Sequence, residues 1–117
     1  MKKTNLTLRE LVETLYSYAR KYNAPIWAAV AEELEKPSRR RRVVNVSRIN
    51  RYTKPDDYVV VPGKVLGAGE LDHPVTVAAL SFSKVAIDKI TRAGGRVISL
   101  YKLLEEKPTG SNVKIMG

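Results

Sequence analysis

HPVTVAALSFSKVAIDKITRAGGRVIS, His73 to Ser99, is the stretch whose pattern decides the class of fold. Val75 to Ser81 is the longest run of strand-forming residues in the chain, entered through an Asp72-His73-Pro74 turn. Ser83 then stands where a helix cap belongs, and Ala86, Ile90 and Ala93 recur at spacings of four and three, which stacks them on one inner face. Gly94-Gly95 closes that helix, and Arg96-Val97-Ile98 reads as another short strand. Strand, helix and strand in succession predict a mixed α/β architecture.

The flanks on either side extend this reading. Downstream, Ser99 caps a last helix through Glu106 with Leu100, Leu103 and Leu104 inward. Pro108 to Ser111 then turns into an alternating strand from Asn112 to Met116. Upstream, Pro55-Asp56-Asp57 is a turn, and Tyr58 to Val61 and Lys64 to Leu66 read as two short strands separated by a Pro62-Gly63 turn. The N-terminal part reads as helical. Leu8, Leu11, Leu15, Tyr18 and Tyr22 fall on one face of a helix from Thr7 to Tyr22, started by a Thr7/Glu10 capping box and stopped by Asn23 and Pro25. A second helix runs from Pro25 to Glu35, with Trp27, Val30, Ala31 and Leu34 inward. Glu32, Glu33 and Glu35 fall elsewhere, as a solvated face pointing away from any phosphate surface. The 117 residues suffice for one domain with a core of its own, so residues 1–117 are expected to fold as a single unit.

Charge marks out residues 36–54, KPSRRRRVVNVSRINRYTK. They hold eight basic residues and no acidic one, whereas the whole chain holds 21 basic and 12 acidic residues. The surplus of +9 is therefore concentrated there, over a nearly neutral remainder. Such a localised positive field is the footprint of a surface that sits on phosphates. Arg39 to Arg42 repel one another and have no helical or strand pattern, so in isolation the run is expected to be mobile. After Val43-Val44, Asn45 is placed as the cap of a short helix from Val46 to about Thr53. On it Val46, Ile49 and Thr53 can face inward, with Arg48 and Arg51 together outside. The bland alternatives are a solvated charge run or a nuclear-import-type address, but neither needs a capped amphipathic helix.

Little in the sequence points to catalysis. The chain has no cysteine, and His73 is its only histidine, read as a surface turn residue. Asp56 and Asp57 are turn formers, not an acid/base pair. Gly63-Lys64-Val65-Leu66-Gly67-Ala68-Gly69 fits neither the P-loop nor the dinucleotide fingerprint. Its glycines read as making turns or letting the backbone approach RNA closely. No catalytic residue, metal site, cofactor or small-molecule substrate is expected. The start of the chain has no signal-peptide pattern, and no apolar run is long enough to span a membrane.

The run Leu34-Glu35-Lys36-Pro37, through the arginines to Val44-Asn45-Val46-Ser47-Arg48-Ile49, resembles the signature region of the archaeal and eukaryotic large-subunit ribosomal protein family eighteen, the "eighteen-e" family. Met1 to Asn5 is similar to archaeal members. The second half looks like the region shared with bacterial large-subunit ribosomal protein fifteen. There Lys64-Val65-Leu66-Gly67-x-Gly69-x-Leu71 is followed by Val75-x-Val77, then Ser83-x-x-Ala86-x-x-x-Ile90-x-x-x-Gly94. The resemblance covers essentially the whole chain, and its length without extensions looks archaeal. It implies a core of irregular strand-strand-helix turns and a cytoplasmic structural component of the large ribosomal subunit. The implied partners are large-subunit ribosomal RNA and neighbouring large-subunit proteins.

The expected RNA-binding residues are Lys2, Lys3, Lys36, Arg39, Arg40, Arg41, Arg42, Arg48, Arg51, Lys54 and Lys64, acting by charge neutralisation and shape. The same patch could serve a DNA-binding or chromatin protein, or one bound to an anionic membrane surface. Against these stand the lack of a helix-turn-helix pattern and of a spare apolar wedge.

Overall fold

The computed structural model describes the backbone of residues 2–117 and the side chains of residues 8–117. The helices are α1 (Lys2–Lys21), α2 (Pro25–Glu35), α3 (Val46–Tyr52), α4 (Lys84–Arg92) and α5 (Leu100–Glu106), with a 3-10 turn at Ser38–Arg40. The strands are β1 (Arg42–Asn45), β2 (Asp57–Leu66), β3 (Val75–Phe82), β4 (Arg96–Ile98) and β5 (Val113–Ile115). They form one sheet in the order β1-β2-β3-β4, and every pairing is parallel. β5 joins the same edge of β2 as β1. It pairs with Tyr58 to Val60, while β1 pairs with Gly63 to Leu66.

A parallel sheet must be covered on both faces, and the sequence supplies apolar residues for both. Val59, Val61 and Val65 of β2 and Val77 and Ala79 of β3 pack on α3 and α4, through Val46, Ile49, Ala86 and Ile90. Val60 and Ala78 point the other way, against Leu11 and Leu15 of α1, Trp27 and Leu34 of α2, and Leu100, Leu103 and Leu104 of α5. The Trp27 indole N–H donates to the Pro108 carbonyl at 2.9 Å, which satisfies its one polar atom inside this layer.

The locally signalled elements lie where the sequence puts them. Ser83 and Ser99 each accept a bond from the backbone three residues on, at 3.1 and 3.0 Å. Gly94 and Gly95 end α4, Gly95 N–H donating to Ile90 C=O at 2.9 Å.

Several expectations are corrected. α1 starts at Lys2, so Thr7 lies within the helix and not at its start, where the expected capping box would place it. No glycine or proline precedes it to break the helical run. Arg39 to Arg42 are not a structureless run: Arg39 and Arg40 lie in the 3-10 turn and Arg42 opens β1. Pro62-Gly63 does not separate two strands. β2 continues through it with a register shift between Val61 and Lys64. Pro62 falls in the gap between the segments paired by β5 and β1, where a missing N–H costs no ladder bond. Gly63 sits opposite Arg42, whose backbone approaches too closely to leave room for a Cβ.

The connection from β2 to β3 is unusually short for parallel neighbours. It must return about 26 Å along the sheet at about 3.3 Å per residue. The nine peptide links from Leu66 to Val75 span at most about 30–32 Å. The crossover therefore has only about one residue's length to spare, and α3 and α4 hold it down. Asn45 Oδ1 accepts from Ala68 N–H at 3.0 Å and Asn50 Oδ1 from Asp72 N–H at 3.0 Å. Ser47 N–H donates to Ala68 C=O at 3.1 Å, and Lys89 Nζ donates to the carbonyls of Gly67 and Gly69 at 2.8 and 2.5 Å.

Candidate nucleic-acid interface

α3 has three stripes. Val46 and Ile49 enter the core. Asn50, with Thr53 just past the helix end, faces the crossover. Arg48, Arg51 and Tyr52 face outward and are exposed. Asn45 precedes the helix as expected, but its side chain caps nothing there and serves the crossover instead. His73 is likewise corrected from a plain surface residue. It is half-buried, with Nε2 2.7 Å from Thr53 Oγ1 and Nδ1 2.9 Å from Asp72 Oδ1. The glycines of the crossover serve packing: Gly69, at φ +87°, lies against Ser47, and Gly67 against Val85.

The basic residues divide into two groups. The 3-10 turn folds the chain back along α2, which sets Arg42 beside Glu33. Arg42 Nε and Nη2 donate to the two carboxylate oxygens at 2.9 and 3.1 Å, and Lys36 Nζ donates at 3.1 Å. The Arg42 bonds first, then Lys36, pull the Glu33 carboxyl down to about 2. Glu33 is therefore not part of a face turned away from the basic segment. Glu32 and Glu35 are exposed, although Glu35 accepts a bond from Tyr16. Arg41 is half-buried, its Nε donating to Leu34 C=O at 3.2 Å.

Arg39, Arg40, Arg48, Arg51, Lys54 and Lys64 form the second group. All six are exposed, and none pairs with a carboxylate among the described residues. Lys64 lies across the ladder from Val43 on one side and Ser81 on the other. Arg48 and Arg51 line a hollow with Val43, Asn45, Ser47 and Tyr52 at the β1 edge of the sheet. The side chains of Lys2 and Lys3 lie outside the described residues.

Sequence reasoning missed Lys114. It lines a second hollow with Arg48, Tyr52, Ile115, Met116 and Gly117, and stands 3.6 Å from Asp57. No sequence signal says that β5 docks on the same strand edge as β1. Among the described residues there is no group of His, Asp or Glu able to hold a metal ion, and no helix long and apolar enough to cross a membrane.

The comparisons with known proteins agree along the chain. The family described as "Ribosomal protein 60S L18 and 50S L18e" matches residues 1–117. Large ribosomal subunit protein eL18 of Sulfurisphaera tokodaii is 58% identical over 113 residues, covering 97% of this chain and 92% of the relative. The eL18 of Archaeoglobus fulgidus is 52% identical over 116 residues, 99% of each chain. That of Methanothermobacter thermautotrophicus is 51% identical over 114 residues, 97% of this chain and 94% of the relative. These names are those of a ribosomal structural protein, not of an enzyme. With its full length matched, the chain belongs to the family of ribosomal protein 60S L18 and 50S L18e.

Proposed function

We propose that this chain, by its family a structural constituent of the large subunit of the cytoplasmic ribosome, holds its place there by laying the β1 edge and the outer face of α3 on ribosomal RNA. Arg39, Arg40, Arg48, Arg51, Lys54 and Lys64 neutralise phosphates. Lys36, Arg41 and Arg42 shape the approach and hold the 3-10 turn to α2, and Lys2 and Lys3 add charge at the N-terminus. Residues 1–117 act as one unit, and the nearly neutral body beyond 36–54 meets neighbouring RNA or proteins.

The observation that carries this reading is the group of six exposed cations, unpaired among the described residues, supplied by one short segment and its ladder neighbour. Arginine suits the task because its planar fork grips a phosphate with two parallel bonds.

Binding of the purified chain to large-subunit ribosomal RNA at stepwise salt tests it. Six phosphate contacts predict a slope of log affinity against log salt of about −4 to −5. Folded ribosomal RNA should outcompete duplex DNA and anionic vesicles. A flat salt dependence, or equal binding to duplex DNA, would reject the reading.

A further inference from the structure

Three of the large apolar side chains left exposed on this molecule stand at the same sheet edge as the cations: Val43 at 59% exposure, Tyr52 at 54% and Ile115 at 43%. Phosphate binding gives no reason for them. Two hollows open there, of about 440 and 290 Å³. Arg48 and Tyr52 line both, so the pair forms a ridge between them. The Arg48 guanidinium sits over the Tyr52 ring at 5.7 Å from its centre. The larger hollow is also lined by Lys114, Ile115, Met116 and Gly117.

A duplex would present phosphates, ribose hydroxyls and base edges to this surface but no open base face, leaving an aromatic ring and an isoleucine against polar groups. An unpaired base matches it better. Its face stacks on the ring or guanidinium plane, its edge meets the apolar wall, and its flanking phosphates meet cations. The size is that of a small-molecule pocket, which suits one nucleotide and not a helix.

We propose that the hollow between the Arg48–Tyr52 ridge and β5 receives one unpaired nucleotide of the ribosomal RNA. The base stacks against the ridge and packs on Ile115, and the adjoining phosphates face Lys114 and, across the ridge in the smaller hollow, Arg51. The inference deepens the RNA-binding reading and rests on it.

The test compares Tyr52→Ala, Tyr52→Phe and Ile115→Ser with the unaltered chain for binding to large-subunit ribosomal RNA at several salt concentrations. Melting curves are recorded alongside. Tyr52→Ala should weaken binding at least about five-fold, as expected for a lost base stack. Its salt slope should not change, because no charge is removed. Tyr52→Phe keeps the ring and should bind within about two-fold of the unaltered chain, and Ile115→Ser should weaken binding. Should Tyr52→Ala fail to fold, Ile115→Ser decides alone. Unchanged affinity in the folded alanine and serine variants overturns the proposal, as does a phenylalanine variant as weak as alanine. Poor incorporation into subunits with intact RNA affinity would assign the hollow to a protein neighbour instead. Absence of salt-dependent binding by the unaltered chain would reject the parent reading, which keeps the two failures distinct.

Discussion

The Arg42 guanidinium grips both oxygens of the Glu33 carboxylate, nine residues earlier, at 2.9 and 3.1 Å. The four consecutive arginines are therefore not equivalent. Arg39 and Arg40 are exposed, Arg41 bonds the end of α2, and Arg42 is held by a carboxylate. Replacing Arg39 and Arg40 together with alanine should flatten the salt slope of RNA binding by about 1.4 to 1.8 units. Arg42→Ala should change the slope by less than half as much and lower the melting temperature instead. Equal slope changes per arginine would refute this division.

The same ion pair makes stability depend on acid. The Glu33 and Glu106 carboxyls are both drawn down to about 2, Glu33 by Arg42 and Lys36, Glu106 by Arg96 and Tyr58. In the unfolded chain each returns to an ordinary value of about 4.3. The unfolded state thus binds more protons between these limits, so the stabilisation is complete above pH about 4.5 and disappears as pH falls toward 2. Melting temperature should fall across that window, and Glu33→Gln should make the fall shallower. An identical profile in the variant would show that the pair contributes nothing.

Asn45 separates a helix cap from a crossover tie. Asn45→Asp keeps an acceptor for Ala68 N–H and should melt like the unaltered chain. Asn45→Ser keeps a good cap residue but is too short to reach Ala68, and should cost about 0.5–1 kcal/mol. Chemical denaturation of the two variants measures the difference, and equal stability would return Asn45 to the capping role.

Gly69→Ala puts a side chain into a left-handed backbone position and against Ser47. It should cost at least about 1–2 kcal/mol, seen as a lowered denaturation midpoint.

What could be read in advance follows the range over which each signal acts. Pro25 and the end of α2, and the Ser83 and Ser99 caps, were legible because capping residues and helical spacing act within a few positions. Arg48 and Arg51 could be placed outward for the same reason. β1 was not legible, because Val43 and Val44 become a strand only through pairing with Lys64 and Val65. Continuity of β2 through Pro62 depends on where β1 and β5 happen to leave a gap. The partners of Asn45 and His73 lie about twenty residues away along the chain. Glu33 reads as solvent-facing because its spacing within α2 says nothing about a turn that reverses after it. Lys114 escapes sequence reasoning for a similar reason: its strand is visible, but its docking edge is not.

The connection from Leu66 to Val75 has only about one residue's length of slack. A strap that short can lose one residue only by drawing straight, and losing two would drag a strand out of register, although it can gain one by bulging. A pull on α3, such as the proposed RNA contact would exert, also passes through Asn45, Ser47 and Asn50 into the strap, and from there to Lys89 on α4. The helix that carries the cations is therefore lashed to the middle of the sheet, and a load on it is shared by the whole body.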